Sequence, residues 1–182
     1  MKQTTIYSIG HGNKAIEKFI NELEAHNIEF VVDVRSRPYS GRFPHYNKAL
    51  LEKELKAQGI TYLFLGDKLG GLPEDKSCYV NGKVEYDLIR QKAFFREGLE
   101  RLLTANEKQI NVAMMCSESK PGDCHRSKLI GQALLTEGIS VKHIISDTRI
   151  KSQETVINEI NKGVNMVDLF GNETSFTSKK AY

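Results

Sequence analysis

Apolar runs rich in β-branched residues alternate along the chain with amphipathic stretches of ten or more residues, the pattern of βα units around a parallel sheet. Thr4 to Ile9 predicts a first strand, and Asn13 predicts the cap of a helix whose Ile16, Phe19, Ile20 and Leu23 share one face. Phe30 to Val34 predicts the second strand; its unbroken FVVDV character suits a strand covered on both sides. Asn47 then caps a predicted helix with Leu50, Leu51 and Leu55 on one stripe and Gly59 beyond its end. Thr61 to Leu65 is the third strand, followed by a glycine-rich loop from Gly66 to Pro73. Asn81-Gly82, between Cys78-Tyr79-Val80 and Lys83-Val84-Glu85-Tyr86, is the strongest short-range hairpin signal and predicts an inserted flap.

Leu88 to Leu103 carries helical periodicity, Ile110 to Cys116 is a fourth strand, and Asp123 caps a predicted helix from Cys124 to Glu137 that Gly138 ends. Val141 to Ile145 is a fifth strand, and Ser152 to Asn161 a last helix. The expectation is an α/β fold: a single domain over 1–170 with a mostly parallel five-stranded sheet, helices on both faces and a small β-hairpin insertion. Residues 171–182 form a polar C-terminal tail, loose unless it docks. A strand order of 3-2-1-4-5 would set His11 beside Cys116 at the switch point of the sheet.

Composition narrows the setting. A chain of 182 residues is long enough for one well-filled core. Its three cysteines, Cys78, Cys116 and Cys124, are too few and too odd in number for a disulfide framework, so a reducing, cytoplasmic location is expected. The N-terminal stretch lacks the apolar run of a signal peptide and nothing approaches the ~20 apolar residues of a membrane span. The net charge of +3 is small but unevenly placed. Arg35, Arg37, Arg42 and Lys48 lie in a stretch from Arg35 to Leu51 that has no carboxylate, so the rest of the chain carries −1. Tyr39, Phe43, His45 and Tyr46 interleave with these cations, a mix that suits phosphates and stacked bases.

Ligands of open parallel sheets bind beyond the carboxyl ends of the strands, and here those ends are polar. They present Gly10-His11-Gly12, then Asp33 and Arg35, then Gly70-Gly71, then Cys116, Glu118 and Cys124-His125-Arg126. The last stretch runs from a strand end into a helix start, where free amides and the helix dipole favour an anion, and Arg126 would add a bidentate phosphate contact. Cys116 has the placement of the thiolate nucleophile in cysteine phosphatases and sulfurtransferases, but the nine residues between it and Arg126 are too many for their tight phosphate cradle. Cys124 in a predicted first helical turn, where the helix dipole lowers a thiol's pKa, is a second candidate nucleophile. Glu118 could orient a histidine or act as a base. Asp33 inside an apolar strand calls for a partner, and Arg35 is the nearest. Gly70 and Gly71 permit close backbone approach to a ligand.

The order SIGHG, VVDVR with an aromatic-basic loop, GITYLFLGDKLGG, and CSE with CHR resembles the bacterial and archaeal family known as domain of unknown function 488, from about Ile6 to Ile144. The resemblance implies a single α/β domain with one shared site built from His11, Asp33, Arg35, Arg42, Gly70, Gly71, Cys116, Glu118, Cys124, His125 and Arg126. It brings no activity with it. Three functions stay open. The first is binding of a phosphate-bearing ligand, a phosphorylated small molecule or nucleic acid, with Cys116, His125, His11 and Glu118 as catalytic groups of a hydrolase or transferase. The second is a non-enzymatic nucleic-acid module built on the basic loop. The third is a zinc-dependent hydrolase or a structural zinc protein using Cys116, Cys124, His125 and His11. No motif specifies a cofactor, a membrane partner or an oligomeric state.

Overall fold

In the computed structural model, which describes residues 4–161 and 175–182, the alternating runs become a six-stranded sheet between two helical layers. The elements follow the chain as β1 (Ile6–Gly10), α1 (Ile16–Ala25), β2 (Phe30–Asp33), α2 (Lys48–Ala57), β3 (Thr61–Phe64), α3 (Gly66–Leu69), β4 (Tyr79–Val80), β5 (Lys83–Val84), α4 (Tyr86–Arg90) and α5 (Ala93–Glu107). Then come β6 (Val112–Cys116), a π-helical segment (Arg126–Gly131) running into α6 (Gln132–Thr136), β7 (Lys142–Ile144), β8 (Ile150–Ser152) and α7 (Gln153–Ile160). The sheet order is β3-β2-β6-β1-β7-β8; the first five strands are parallel, and β8 pairs antiparallel to β7.

Two expectations need correction here. A sixth strand, β8, extends the predicted five, and the order is not 3-2-1-4-5, because β6 enters between β1 and β2. Every residue of β6 (VAMMC) is buried, and a strand with no polar position belongs in the slot covered on both faces. Its register pairs Gly10 with Cys116 and Asp33 with Met115, so His11 still meets Cys116: the His11 amide donates to the Cys116 carbonyl at 3.0 Å.

Strand alternation divides the core. Ile9, Val31, Ala113 and Met115 face Phe19, Leu23, Leu51 and Leu55 of α1 and α2. Ile6, Val32, Met114 and Cys116 face Phe95, Leu102, Leu129 and Leu134 on the other side, where α5 and α6 lie. Period-2 strands packed against period-3.6 helices account for both layers.

Local details depart from the sequence reading where tertiary contacts compete. The side chain of Asn47 accepts from the Ser40 amide at 2.6 Å instead of capping α2, and Ala15, not Asn13, occupies the N-cap position of α1. The predicted helix over Leu88–Leu103 is two, α4 and α5, and the glycine-rich loop opens with the short α3. The Asn81-Gly82 turn forms as predicted, both residues having positive φ (50° and 77°), which matches the twist of the β4–β5 hairpin.

Of the tail, 171–174 lie outside the described residues, and 175–182 dock on the hairpin. The Ser178 amide donates to the Val84 carbonyl, the Tyr86 amide to the Phe176 carbonyl, and the Tyr182 amide to the Gly82 carbonyl. Phe176 is buried in the larger core cluster. Among the described residues, no helix is long and apolar enough to cross a membrane.

Candidate functional site

The carboxyl ends of β1, β2 and β6 open into a cleft of about 320 Å³, and the docked tail supplies its far wall through Ser178, Lys179, Lys180 and Tyr182. His11, Arg35, Cys116, Cys124 and His125 line its inner side. Four cations line it (Arg35, Arg37, Lys179 and Lys180) against two carboxylates (Glu118 and Asp123). Lys179 stands 3.6 Å from Asp123; among the described residues Arg37 and Lys180 form no ion pair.

At the floor, Cys116 ends β6 and Cys124 and His125 begin the following helix, so three buried side chains converge. The Nδ1 of His125 lies 3.5 Å from Cys124 Sγ and 3.9 Å from Cys116 Sγ. Its Nε2 is 2.9 Å from the Val34 carbonyl. A carbonyl only accepts, so Nε2 carries a proton and Nδ1 is the ring nitrogen that faces the sulfurs. The adjacent Cys124 holds the Cys116 thiol well below its ordinary range, helped by His125 and the buried Arg126, while burial and the neighbouring Cys116 push the Cys124 thiol up. Gly71 closes the side of this floor: a Cβ there would lie 2.9 Å from His125 Cγ, so only glycine admits the ring.

The helix beginning here is not the regular one the sequence predicts from Cys124 to Glu137. Cys124 is extended, its carbonyl accepts from both the Ser127 and Lys128 amides, and Arg126–Gly131 winds as a π-helix. A widened turn of this kind is frequent at functional sites. Gln153 is wedged against it, its Nε2 donating to the Ser127 carbonyl and its Oε1 lying 2.8 Å from His143 Nε2. A Cβ at Gly131 would collide with the same glutamine.

Asp33 meets its need for a partner behind the cleft. Arg35 donates to both of its carboxylate oxygens, through Nε at 2.9 Å and Nη2 at 2.6 Å, and Tyr62 donates to Oδ2 at 2.7 Å. Asp33 is fully buried and does not line the cleft; it orients Arg35, which does. Arg35 Nη1 remains buried without a hydrogen-bond partner. His11 stacks on Tyr46, ring centroids 4.1 Å apart, and its Nδ1 donates to the Gly12 carbonyl at 2.9 Å. Burial lowers its pKa to about 4. Its Nε2 is therefore a bare acceptor, buried and unpartnered.

The remaining expected residues are dispersed. Glu118 is exposed on the cleft rim, and Val34, not Glu118, orients His125. Arg126 is 1% exposed and off the cleft lining. It donates to the Ser119 carbonyl and lies so close to Gly10 that a Cβ there would be 2.8 Å from its Nη1. Among the described residues it has no carboxylate partner, so its charge bears on the sulfurs. Gly70 packs against the Gly66 carbonyl and Ser36, outside the cleft. Arg42 is exposed over the Phe43 ring at 5.6 Å and does not line the cleft. Tyr46 is buried, and Tyr39 (73% exposed) is the only aromatic ring of this loop among the large exposed hydrophobic residues, so the loop offers little stacking surface. Of the four residues considered for zinc, His11 falls outside the cluster formed by the other three. Sequence reasoning missed Arg37, Ser117, Lys179, Lys180 and Tyr182 as lining; the adjacent Lys179-Lys180 pair in a polar tail was the available signal.

A family model described as "Domain of unknown function DUF488" matches residues 15–132, from just before α1 to the start of α6, and so includes Cys116, Cys124 and His125 but not His11. No curated protein and no solved structure matches the chain.

Proposed function

The chain belongs to the DUF488 family, whose description names no activity, and we propose the function from the site itself: the cleft binds a phosphate-bearing ligand, a nucleotide or the end of a nucleic acid. It presents that ligand to the Cys116, His125 and Glu118 groups for hydrolysis or transfer. One observation carries the reading: a cleft lined by Arg35, Arg37, Lys179 and Lys180 opens directly over buried cysteine and histidine side chains. Cleft cations without an acidic partner, which among the described residues are Arg37 and Lys180, favour an anion, and reactive groups beneath an anion subsite favour chemistry on what it holds. The unpartnered Arg35 Nη1 and His11 Nε2 add a donor and an acceptor on cleft-lining side chains. The stacking-platform alternative loses support because Tyr46 is turned inward.

The test is a thermal-shift panel of nucleotides, short single strands and inorganic phosphate on the wild type, Arg37→Ala and Lys180→Ala, with reductant present. Arg37 and Lys180 are exposed, so their replacement spares the fold. A ligand at 100 times its dissociation constant should stabilise the wild type by about 2.7 kcal/mol, and the two variants should respond less. No shift with any phosphate-bearing compound at millimolar concentration rejects the reading.

A further inference from the structure

We infer that Cys116 Sγ, Cys124 Sγ and His125 Nδ1 form a three-ligand site for zinc, with the fourth coordination position open to the cleft. The inference deepens the functional reading above by naming the cofactor of the same site, but it stands on different atoms.

The first support is spacing. Zinc binds thiolate at about 2.3 Å and imidazole at about 2.0 Å, so neighbouring ligand atoms of a tetrahedral site are about 3.5 to 3.8 Å apart. The histidine nitrogen here is 3.5 and 3.9 Å from the two sulfurs, and all three atoms lie within 4.8 Å of one another. The two nitrogen–sulfur pairs need only a few tenths of an ångström of adjustment to close on an ion, and the sulfur–sulfur pair, within 4.8 Å, closes by about 1 Å at most.

The second support is the outer contact. A ligating histidine characteristically gives its other N–H to a carbonyl or carboxylate, which fixes the tautomer and aims the ring. His125 Nε2 donates to the Val34 carbonyl at the end of β2, and Gly71 leaves room for the ring at that angle. The ring is thereby aimed at both sulfurs without any metal-dependent rearrangement.

The third support is the chemistry of the donors. Two thiolates and one imidazole suit a borderline-soft divalent ion and not magnesium or calcium. Two thiolates also balance the charge of the ion. Three protein ligands with a free position facing solvent is the arrangement of catalytic zinc, whereas structural zinc is closed by four. All three side chains line the cleft, with Glu118 on the same lining, so the open position faces the space where the ligand binds.

The measurement uses the full chain, stripped of metal under reductant and titrated with cobalt(II) as the spectroscopic stand-in, then with zinc. One equivalent of cobalt should produce thiolate-to-cobalt charge transfer in the near ultraviolet and the visible bands of tetrahedral Co(II), and zinc should abolish both. Cys116→Ser, Cys124→Ser and His125→Gln should each weaken binding on the order of a hundredfold, whereas Cys78→Ser, outside the three-ligand cluster, should not change it. Wild-type protein that develops no charge-transfer band, or a band that disappears in Cys78→Ser, overturns the inference. The phosphate panel run on metal-free protein separates the two claims: phosphate binding without cobalt spectra leaves the cleft reading intact, and cobalt spectra without phosphate binding do the reverse.

Discussion

Acidification from pH 7 to 5 should cost about 2 kcal/mol through His143 alone. Its ring is buried between β1 and α7, with Nδ1 2.6 Å from Ser8 Oγ and Nε2 2.8 Å from Gln153 Oε1. Burial lowers its pKa from 6.5 to about 4, with nearby Arg126 adding to the shift. Between these two values the unfolded chain binds a proton that the folded protein refuses, so stability is complete above pH 6.5 and falls as the pH drops toward 4. The full difference is about 3 kcal/mol, at about 1.4 kcal/mol per pH unit, and about 2 kcal/mol of it is lost by pH 5. Urea unfolding at pH 7, 6 and 5, on wild type and His143→Gln, reads it out. The variant starts lower because it disturbs the Ser8 and Gln153 contacts, but its stability should fall by about 2 kcal/mol less over the same range. His11, also lowered to about 4 by burial, titrates in both proteins and cancels. Parallel slopes, within about 0.5 kcal/mol, refute the reasoning.

Two further outcomes follow from the geometry. Arg35→Met strands the Asp33 carboxylate in the core with Tyr62 as its remaining side-chain partner, so denaturant unfolding should show a loss of about 3 to 5 kcal/mol, part of which Asp33→Leu should restore. Gly71→Ala drives a methyl group into the His125 ring; it should lower stability by about 1 to 3 kcal/mol and distort the cobalt spectrum while Arg37-dependent phosphate binding persists.

Much of this architecture is legible in the chain because it rests on local pattern. FVVDV, the Asn81-Gly82 turn and the α1 stripe each encode their own conformation, and the rim residues His11, Arg35 and Cys116 follow from knowing where strands end. What escaped depends on partners distant in sequence. The slot taken by β6 is decided by competition among strands for a position covered on both faces, and nothing in Ile110–Cys116 names its neighbours. The π-helical turn packs against Gln153, more than twenty residues further along the chain, and a helical pattern looks the same with or without it. The tail docks largely through backbone hydrogen bonds, which leave no mark in composition, so the Lys179-Lys180 pair alone could not place the tail at the cleft. Arg126 has the expected residue type for an anion contact, yet its burial turns its charge toward the sulfurs.

The position of β6 also constrains how the molecule is assembled. Strands β1 and β2 follow one another along the chain, yet each has β6 as a neighbour, more than a hundred residues after β1 begins. No helix-linked pair from the first half can close the centre of the sheet, so loop closure over that separation precedes its main pairing. The strand that fills the centre of the sheet is the one that delivers Cys116, and the segment delivering Cys124 and His125 comes immediately afterwards. The thiol pair and imidazole are therefore brought together only once β6 has paired between β1 and β2, and a chain in which it has not presents ordinary cysteines.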